Sequence, residues 1–282
     1  MGGRSARLGS ASAWSFYPGP MLIERPVRPT IAQLREVTQP PSVRTRAGAE
    51  HWMAHLYLRD VSPYLTRVLL RAGFSADAVT WLMIVCAVGS AVSTGWPTLA
   101  GAIGVVVLAQ LQQLLDCCDG EVARWRQTSS PRGVYLDRVG HYTAECGIAV
   151  ALGVRANGGL ALSSVWISAG LALALLVCLN KVENDLVHVS RHYAGLAQVA
   201  DVESVRVPQA GLLRTARRAA RLVPLHRVFH SIEMSLLILA AAVVDLFAGG
   251  YATRVLLVVM LASAVVTVVG HLAAVLGSSR LR

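Results

Sequence analysis

Lysine is almost missing from this sequence: Lys181 is the only one in 282 residues, so the net charge of +10 is carried by arginine. Charge of any kind is scarce, at 15% of residues, where a water-soluble domain usually carries about a quarter. Hydrophobic residues make up 54% and the mean hydropathy is +0.52, which excludes an ordinary soluble domain. A basic balance fits either nucleic acid or an anionic membrane surface. The long apolar segments decide for the membrane, and no nucleic-acid partner is expected.

Cysteine patterning is also lacking. Cys86, Cys117, Cys118, Cys146 and Cys178 show no C-x-x-C spacing and fall in or beside apolar segments. A disulfide framework and a zinc site are therefore not indicated, and small buried helix residues are expected. Residues 1–20 lack the apolar core of a signal peptide, and Met21 is a second candidate start. Residues 1–47, rich in Pro, Arg, Ser and Thr, read as a mobile cytoplasmic leader, with 48–282 as the membrane domain.

What is present is helical and apolar. From 49 to 72, Trp52, Leu56, Val61, Leu65 and Leu69 recur at helical spacing among Arg59, Arg67 and Arg71, which predicts an amphipathic interfacial helix. Six segments can span a ~30 Å hydrocarbon core. They are 78–96, 98–115, 134–154, 159–180, 231–248 and 254–277. The expected fold is all-α: a polytopic membrane protein of six transmembrane helices. A basic interfacial helix carrying Arg214, Arg217, Arg218 and Arg221 is expected between the fourth and fifth spans. Six spans leave only Arg155 and Arg254 of the 26 basic residues on one side. The positive-inside rule then makes both termini and the 116–138 connection cytoplasmic.

That connection holds the chemistry. Carboxylates at the end of a membrane helix are expensive and normally mark a pathway or a site. Asp116 and Asp119 are three apart and share a helical face; Asp137 and His141 are four apart and share another. Together they set three carboxylates and an imidazole around one point. Hard divalent cations such as Mg²⁺ relieve the repulsion in such a cluster, and two of them can clamp a diphosphate.

These residues resemble the CDP-alcohol phosphotransferase family, whose pattern is D-x2-D-G-x2-A-R-x8-G-x3-D-x3-D. Asp116, Asp119, Gly120, Ala123, Arg124, Gly133 and Asp137 match it at the right spacings, and the resemblance extends over roughly residues 50–277. It implies six spans with an amphipathic lead-in and a transfer reaction. The diphosphate of a CDP-linked donor is cleaved, CMP is released, and the phospho-alcohol moiety passes to an acceptor hydroxyl. It implies Asp116, Asp119 and Asp137 as ligands of Mg²⁺ or Mn²⁺, with two ions in such enzymes. Gly120 and Ala123 would let the nucleotide lie close, Arg124 would neutralise phosphate, Gly133 would allow close helix packing, and Thr80 would help bind the nucleotide. The donor is CDP-diacylglycerol or a soluble CDP-alcohol, the acceptor an alcohol or polyol, the setting membrane lipid, and relatives are often homodimers.

The departure is His141, where relatives place a fourth aspartate that binds metal and acts as general base. Imidazole, with a pKa near ~6.5, also takes a proton at neutral pH, but it suits Mn²⁺ or Zn²⁺ better than Mg²⁺. Three readings stay open: His141 is the base and a metal ligand; Glu145 takes the base role; or the chain is a catalytically impaired relative that binds nucleotide or lipid without turnover. A transporter is disfavoured because the charges cluster at one face. Among lesser features, Glu121 and Arg126 read as a solvated loop beside the motif. Glu183, Asn184, Asp185, His188 and Arg191 read as an acceptor pocket or a solvated helix end. His230 and Glu233 are expected to face one cavity, Asp245 and His271 to reach the far interface, and Tyr135 and Tyr142 to pack near the site.

Overall fold

The structure, a computed structural model, describes residues 25–26, 28–44, 54–161, 163–196, 225–278 and 281. Met21, most of the expected leader and the expected basic helix at Arg214–Arg221 lie outside the described residues. Among the described residues there are helices and no strand. They are α1 (Ile31–Thr38), α2 (Pro41–Arg44), α3 (Arg59–Arg71), α4 (Ala76–Gly95), α5 (Leu99–Arg126), α6 (Pro131–Asn157), α7 (Val165–Tyr193), α8 (Ser231–Ala248) and α9 (Tyr251–Leu276). A π-helical turn, Ala54–Leu58, leads into α3.

The long helices begin where the sequence provides a cap. Ser75, Thr98, Ser130 and Ser164 each accept a backbone N–H of the first turn of α4, α5, α6 and α7, and Pro131 opens α6 with a preset φ. α5 stops at Gln127, in the left-handed region at φ 57°, and only a short turn separates it from α6.

Five helices (α4, α5, α7, α8 and α9) are long and apolar enough to cross a membrane, the pattern of a multi-pass membrane protein. The 27-residue α6 lies outside that group, because Asp137, Arg138, His141, Glu145 and Arg155 dilute its apolar stretch. It is nevertheless central, packed along both α4 and α7. Large apolar side chains such as Val92, Val107, Phe247, Val258 and Val266 are exposed on outward helix faces, a surface suited to lipid rather than water. The interior core joins α5 to α9 through Val105, Ile148, Leu152, Leu173, Ile238 and Met260.

Two close approaches set the spacing of α6. At Gly140 an added Cβ would lie 2.0 Å from Met83 Cε of α4. At Gly153 it would lie 2.9 Å from the Cα of Gly170 on α7, so the two backbones touch there. Gly133, expected to permit such packing, sits in the first turn of α6 and meets only ordinary contacts, Ser130 Oγ at 3.6 Å and Asp77 Oδ1 of α4 at 3.9 Å.

Part of the expected leader has a place in this fold. Thr30 and Gln33 form a reciprocal capping box that starts α1, and α1 packs on α3 and α5 with Leu34 fully buried. In α3, Ser62, Thr66, Leu69 and Leu70 are buried while Val61, Tyr64 and Val68 are exposed.

The Gly153–Gly170 contact leaves no room for a methyl group. Gly170→Ala is expected to destabilise the protein by about 1–3 kcal/mol through overpacking. Gly270→Ala, where nothing lies within 4 Å, should be neutral or slightly stabilising. Thermal unfolding of the purified variants in detergent checks this, and equal midpoints would refute the contact.

Candidate active site

Length puts the carboxylates at one end of the bundle. Asp116 lies about 26 Å along the axis from Leu99 at 1.5 Å per residue, close to the end of a ~30 Å apolar core. α5 continues through Arg126, and α6 returns antiparallel from Pro131 with Asp137 and His141 in its first three turns. The other end of α6 closes the opposite face: buried Arg155 donates to the carbonyls of Trp96 at 2.7 Å and Thr98 at 3.0 Å. There Arg254 donates to Ala156 O at 3.1 Å, and Asp245 accepts the backbone N–H groups of Ala252 and Thr253 at the start of α9.

Three of the four expected metal ligands converge. Asp116, Asp137 and His141 each offer an atom within 4.8 Å of the others, a grouping able to hold a metal ion. His141 Nε2 lies 3.1 Å from Asp116 Oδ1 and 3.4 Å from Asp137 Oδ1. Asp116 Oδ2 accepts from Gln113 Nε2 at 2.6 Å, whereas Asp137 Oδ1 is buried without a hydrogen-bond partner. The donor set, two carboxylates and an imidazole, fits a divalent cation, with the nitrogen tilting it from Mg²⁺ toward Mn²⁺.

Asp119 stands apart from that group. Its Oδ2 accepts from the Thr80 hydroxyl at 2.7 Å, and Thr80 is buried on α4. Thr80, expected at the nucleotide, therefore touches a motif carboxylate. Arg124 folds back over Gly120: an added Cβ there would meet its guanidinium nitrogens at 3.0 and 3.2 Å. Arg124 Nε donates to Thr38 O at 2.7 Å. Ala123, one residue before, is half-buried.

Glu121 corrects the expectation of a solvated loop. α5 runs through it, and it has no exposed surface. Its Oε1 accepts from Ser62 Oγ at 2.5 Å and Gln39 Nε2 at 2.8 Å, and its Oε2 from Thr66 Oγ1 at 2.7 Å. Arg59 stands 3.8 Å away. Arg126 is exposed, as expected.

One turn beyond His141, buried Glu145 pairs with Lys181 Nζ at 2.9 Å and His230 Nδ1 at 3.3 Å. The single lysine thus compensates a carboxylate inside the bundle, and its ammonium also lies 5.5 Å from the Tyr142 ring centroid. Asp185 pairs with Arg138 and accepts from the Tyr142 hydroxyl at 3.1 Å. His271 was expected at the far interface. It instead meets Asn180 Oδ1 at 3.0 Å and Glu183 Oε2 at 3.3 Å, because α9 runs back toward the end of α7 nearest the site.

No protein-family model matches the chain. Over 149 residues it is 34% identical to the bifunctional IPC transferase and DIPP synthase of Rubrobacter xylanophilus, an alignment covering 51% of this chain and 33% of that protein. The chain thus corresponds to about a third of the length of this curated relative, a distant homology to a transferase.

Removing one partner of a buried pair leaves an uncompensated charge. Lys181→Met is expected to destabilise by about 3 kcal/mol. The double variant Lys181→Met with Glu145→Gln should recover part of that loss, and thermal midpoints of the two variants and their parent measure it. A double variant no better than Lys181→Met would mean that the pair does not carry the stability.

Proposed function

We propose that this chain is an integral-membrane CDP-alcohol phosphotransferase of six spans, α6 joining the five helices that are long and apolar enough to cross. It moves a substituted phosphate group from a CDP-linked donor, CDP-diacylglycerol or a CDP-alcohol, to an acceptor hydroxyl and releases CMP. The observation that carries the reading is the convergence of Asp116, Asp137 and His141 at the junction of α5 and α6, within the family's spacing. The distant relative, named as a transferase and a synthase, agrees in reaction class. The arginine distribution supports a cytoplasmic site and cytoplasmic termini.

In this reading Asp116, Asp137 and His141 hold a divalent cation, Mg²⁺ or Mn²⁺, and Asp119 completes a second position. Bound cations would neutralise the donor diphosphate and the leaving phosphate. Arg124 adds positive charge beside Gly120, where the diphosphate lies close to the backbone. His141 takes the proton of the acceptor hydroxyl on Nε2 when that nitrogen is off the cation, because its one lone pair cannot serve both. The acceptor oxygen then forms a bond to the phosphorus bearing the alcohol group. The bond from that phosphorus to the bridging oxygen breaks, and CMP leaves with the electron pair. Glu145 is engaged by Lys181 and His230, which favours His141 over Glu145 as base.

Purified protein with labelled CDP-diacylglycerol or CDP-alcohols, Mg²⁺ or Mn²⁺ and a panel of polyols tests this. CMP release should require the metal, and Asp137→Asn should lower it at least ~100-fold. His141→Ala should lose on the order of 10²-fold or more, while His141→Asp retains turnover. Full activity of His141→Ala would remove the base assignment. Nucleotide binding without CMP from any combination would instead favour a catalytically impaired relative.

A further inference from the structure

The last turns of α5 present two polar faces. One carries Asp116 and Asp119; the other, roughly 140° around the helix from Asp116, carries Glu121. A carboxylate with no exposed surface needs donors, and Glu121 receives three: Ser62 and Thr66 from α3, and Gln39 from just beyond α1. Gln39 Nε2 also donates to Arg59 O at 2.7 Å, so one amide ties α1, α3 and α5 together.

The same segment reaches α5 at two further points. Arg25 donates to the carbonyls of Arg124 at 2.5 Å and Trp125 at 2.6 Å, and its guanidinium lies 5.5 Å from the Trp125 ring centroid. Both carbonyls lie in the last turn of α5, where helix carbonyls take donors from outside the helix. Thr38 O, at the C-terminal end of α1 where the helix dipole is negative, accepts Arg124 Nε at 2.7 Å. An arginine on the last turn of a helix has several rotamers open to it. Here a carbonyl from a separate segment, Thr38 O, is among the groups that hold it over Gly120.

We propose that Gln39 and Glu121 are positioning residues: they lock the segment Thr30–Gln39 against the end of α5, so that Thr38 O fixes Arg124 beside the carboxylate face to meet an anionic diphosphate. The segment ahead of the first span is therefore part of the donor site. This rests on the donor reading above. Neither side chain touches the donor; both act through Arg124.

Full-length Gln39→Ala, Glu121→Gln and Arg124→Ala, and Gln39→Ala combined with Arg124→Ala, test it. The measurements are KM for the CDP-linked donor, kcat, affinity for CDP by calorimetry and Mn²⁺ binding by electron paramagnetic resonance. Gln39→Ala should raise donor KM and weaken CDP binding about tenfold, leaving kcat within about twofold and Mn²⁺ binding unchanged. Added to Arg124→Ala it should cost nothing further, because its effect passes through that arginine. Unchanged donor KM in Gln39→Ala, additive losses, or a parallel loss of Mn²⁺ binding each overturn the proposal. Should Glu121→Gln fail to fold, Gln39→Ala carries the test alone. A parent protein that neither releases CMP nor binds CDP overturns the donor reading and this inference with it. A parent that does either, with Gln39→Ala unaltered, overturns the inference alone.

Discussion

An ionised carboxylate cannot stay inside an apolar helix bundle without partners, and this constraint organises the polar interior of the protein. Each such group is answered locally. Asp119 takes the Thr80 hydroxyl, Glu121 takes three donors from two segments, and Glu145 takes Lys181 and His230. Asp185 takes Arg138 and Tyr142, and Asp245 takes the opening amides of α9. Where Asp116 and Asp137 meet, a single imidazole lies between the two carboxylates. The junction of α5 and α6 is thus the place where negative charge outruns its partners. A bound cation would supply the difference, which is why the proposed chemistry belongs there.

The two ends of the bundle are built for different tasks. Arg155, Arg254 and Asp245 close one end by binding backbone carbonyls and amides, so their charges are spent on loops. At the other end α5 outruns the apolar core, and its carboxylates face side chains instead. The pairs Glu145–Lys181 and Asp185–Arg138 join α6 to α7 within two turns of His141. They fix the α6 face that carries Asp137 and His141 as firmly as the glycine contact at Gly153 fixes its distance.

Much of this was legible in the sequence, for reasons that also explain the misses. Helices form on the long apolar runs, but α7 begins at Val165 rather than 159, and α5 and α7 continue past the expected ends at 115 and 180. Asp137 and His141 meet because four residues separate them on one helix, and α5 and α6 are joined so tightly that Asp116 has to face them. Of the long helices α4 to α9, α6 has the weakest apolar character, because it bears Asp137, Arg138, His141 and Glu145. Spacing alone could not show that Thr80, 39 residues away, takes Asp119. Glu121 was misread for the same reason: its partners lie 59, 55 and 82 residues off, and beside an acidic motif a further acid looks like solvent-facing surface. α1 had a readable signal. Thr30-x-x-Gln33 spells a capping box, with Ile31, Leu34 and Val37 behind it, but it is short and lies in a Pro- and Arg-rich stretch.

The imidazole at position 141 changes the electrostatics of the cluster more than its shape. A carboxylate there would add a third negative charge within a few ångströms of Asp116 and Asp137, and the cations would be held mainly by that repulsion's relief. A neutral imidazole removes one charge and offers a nitrogen, so attraction for hard Mg²⁺ falls while Mn²⁺ loses less. It also places a group that can release or accept a proton between the two carboxylates. In the proposed reaction the metal preference and the base strength are therefore set by the same side chain. A change at His141 moves both directly, whereas a change at Asp137 acts on the metal directly and on the base only through its 3.4 Å contact with the imidazole.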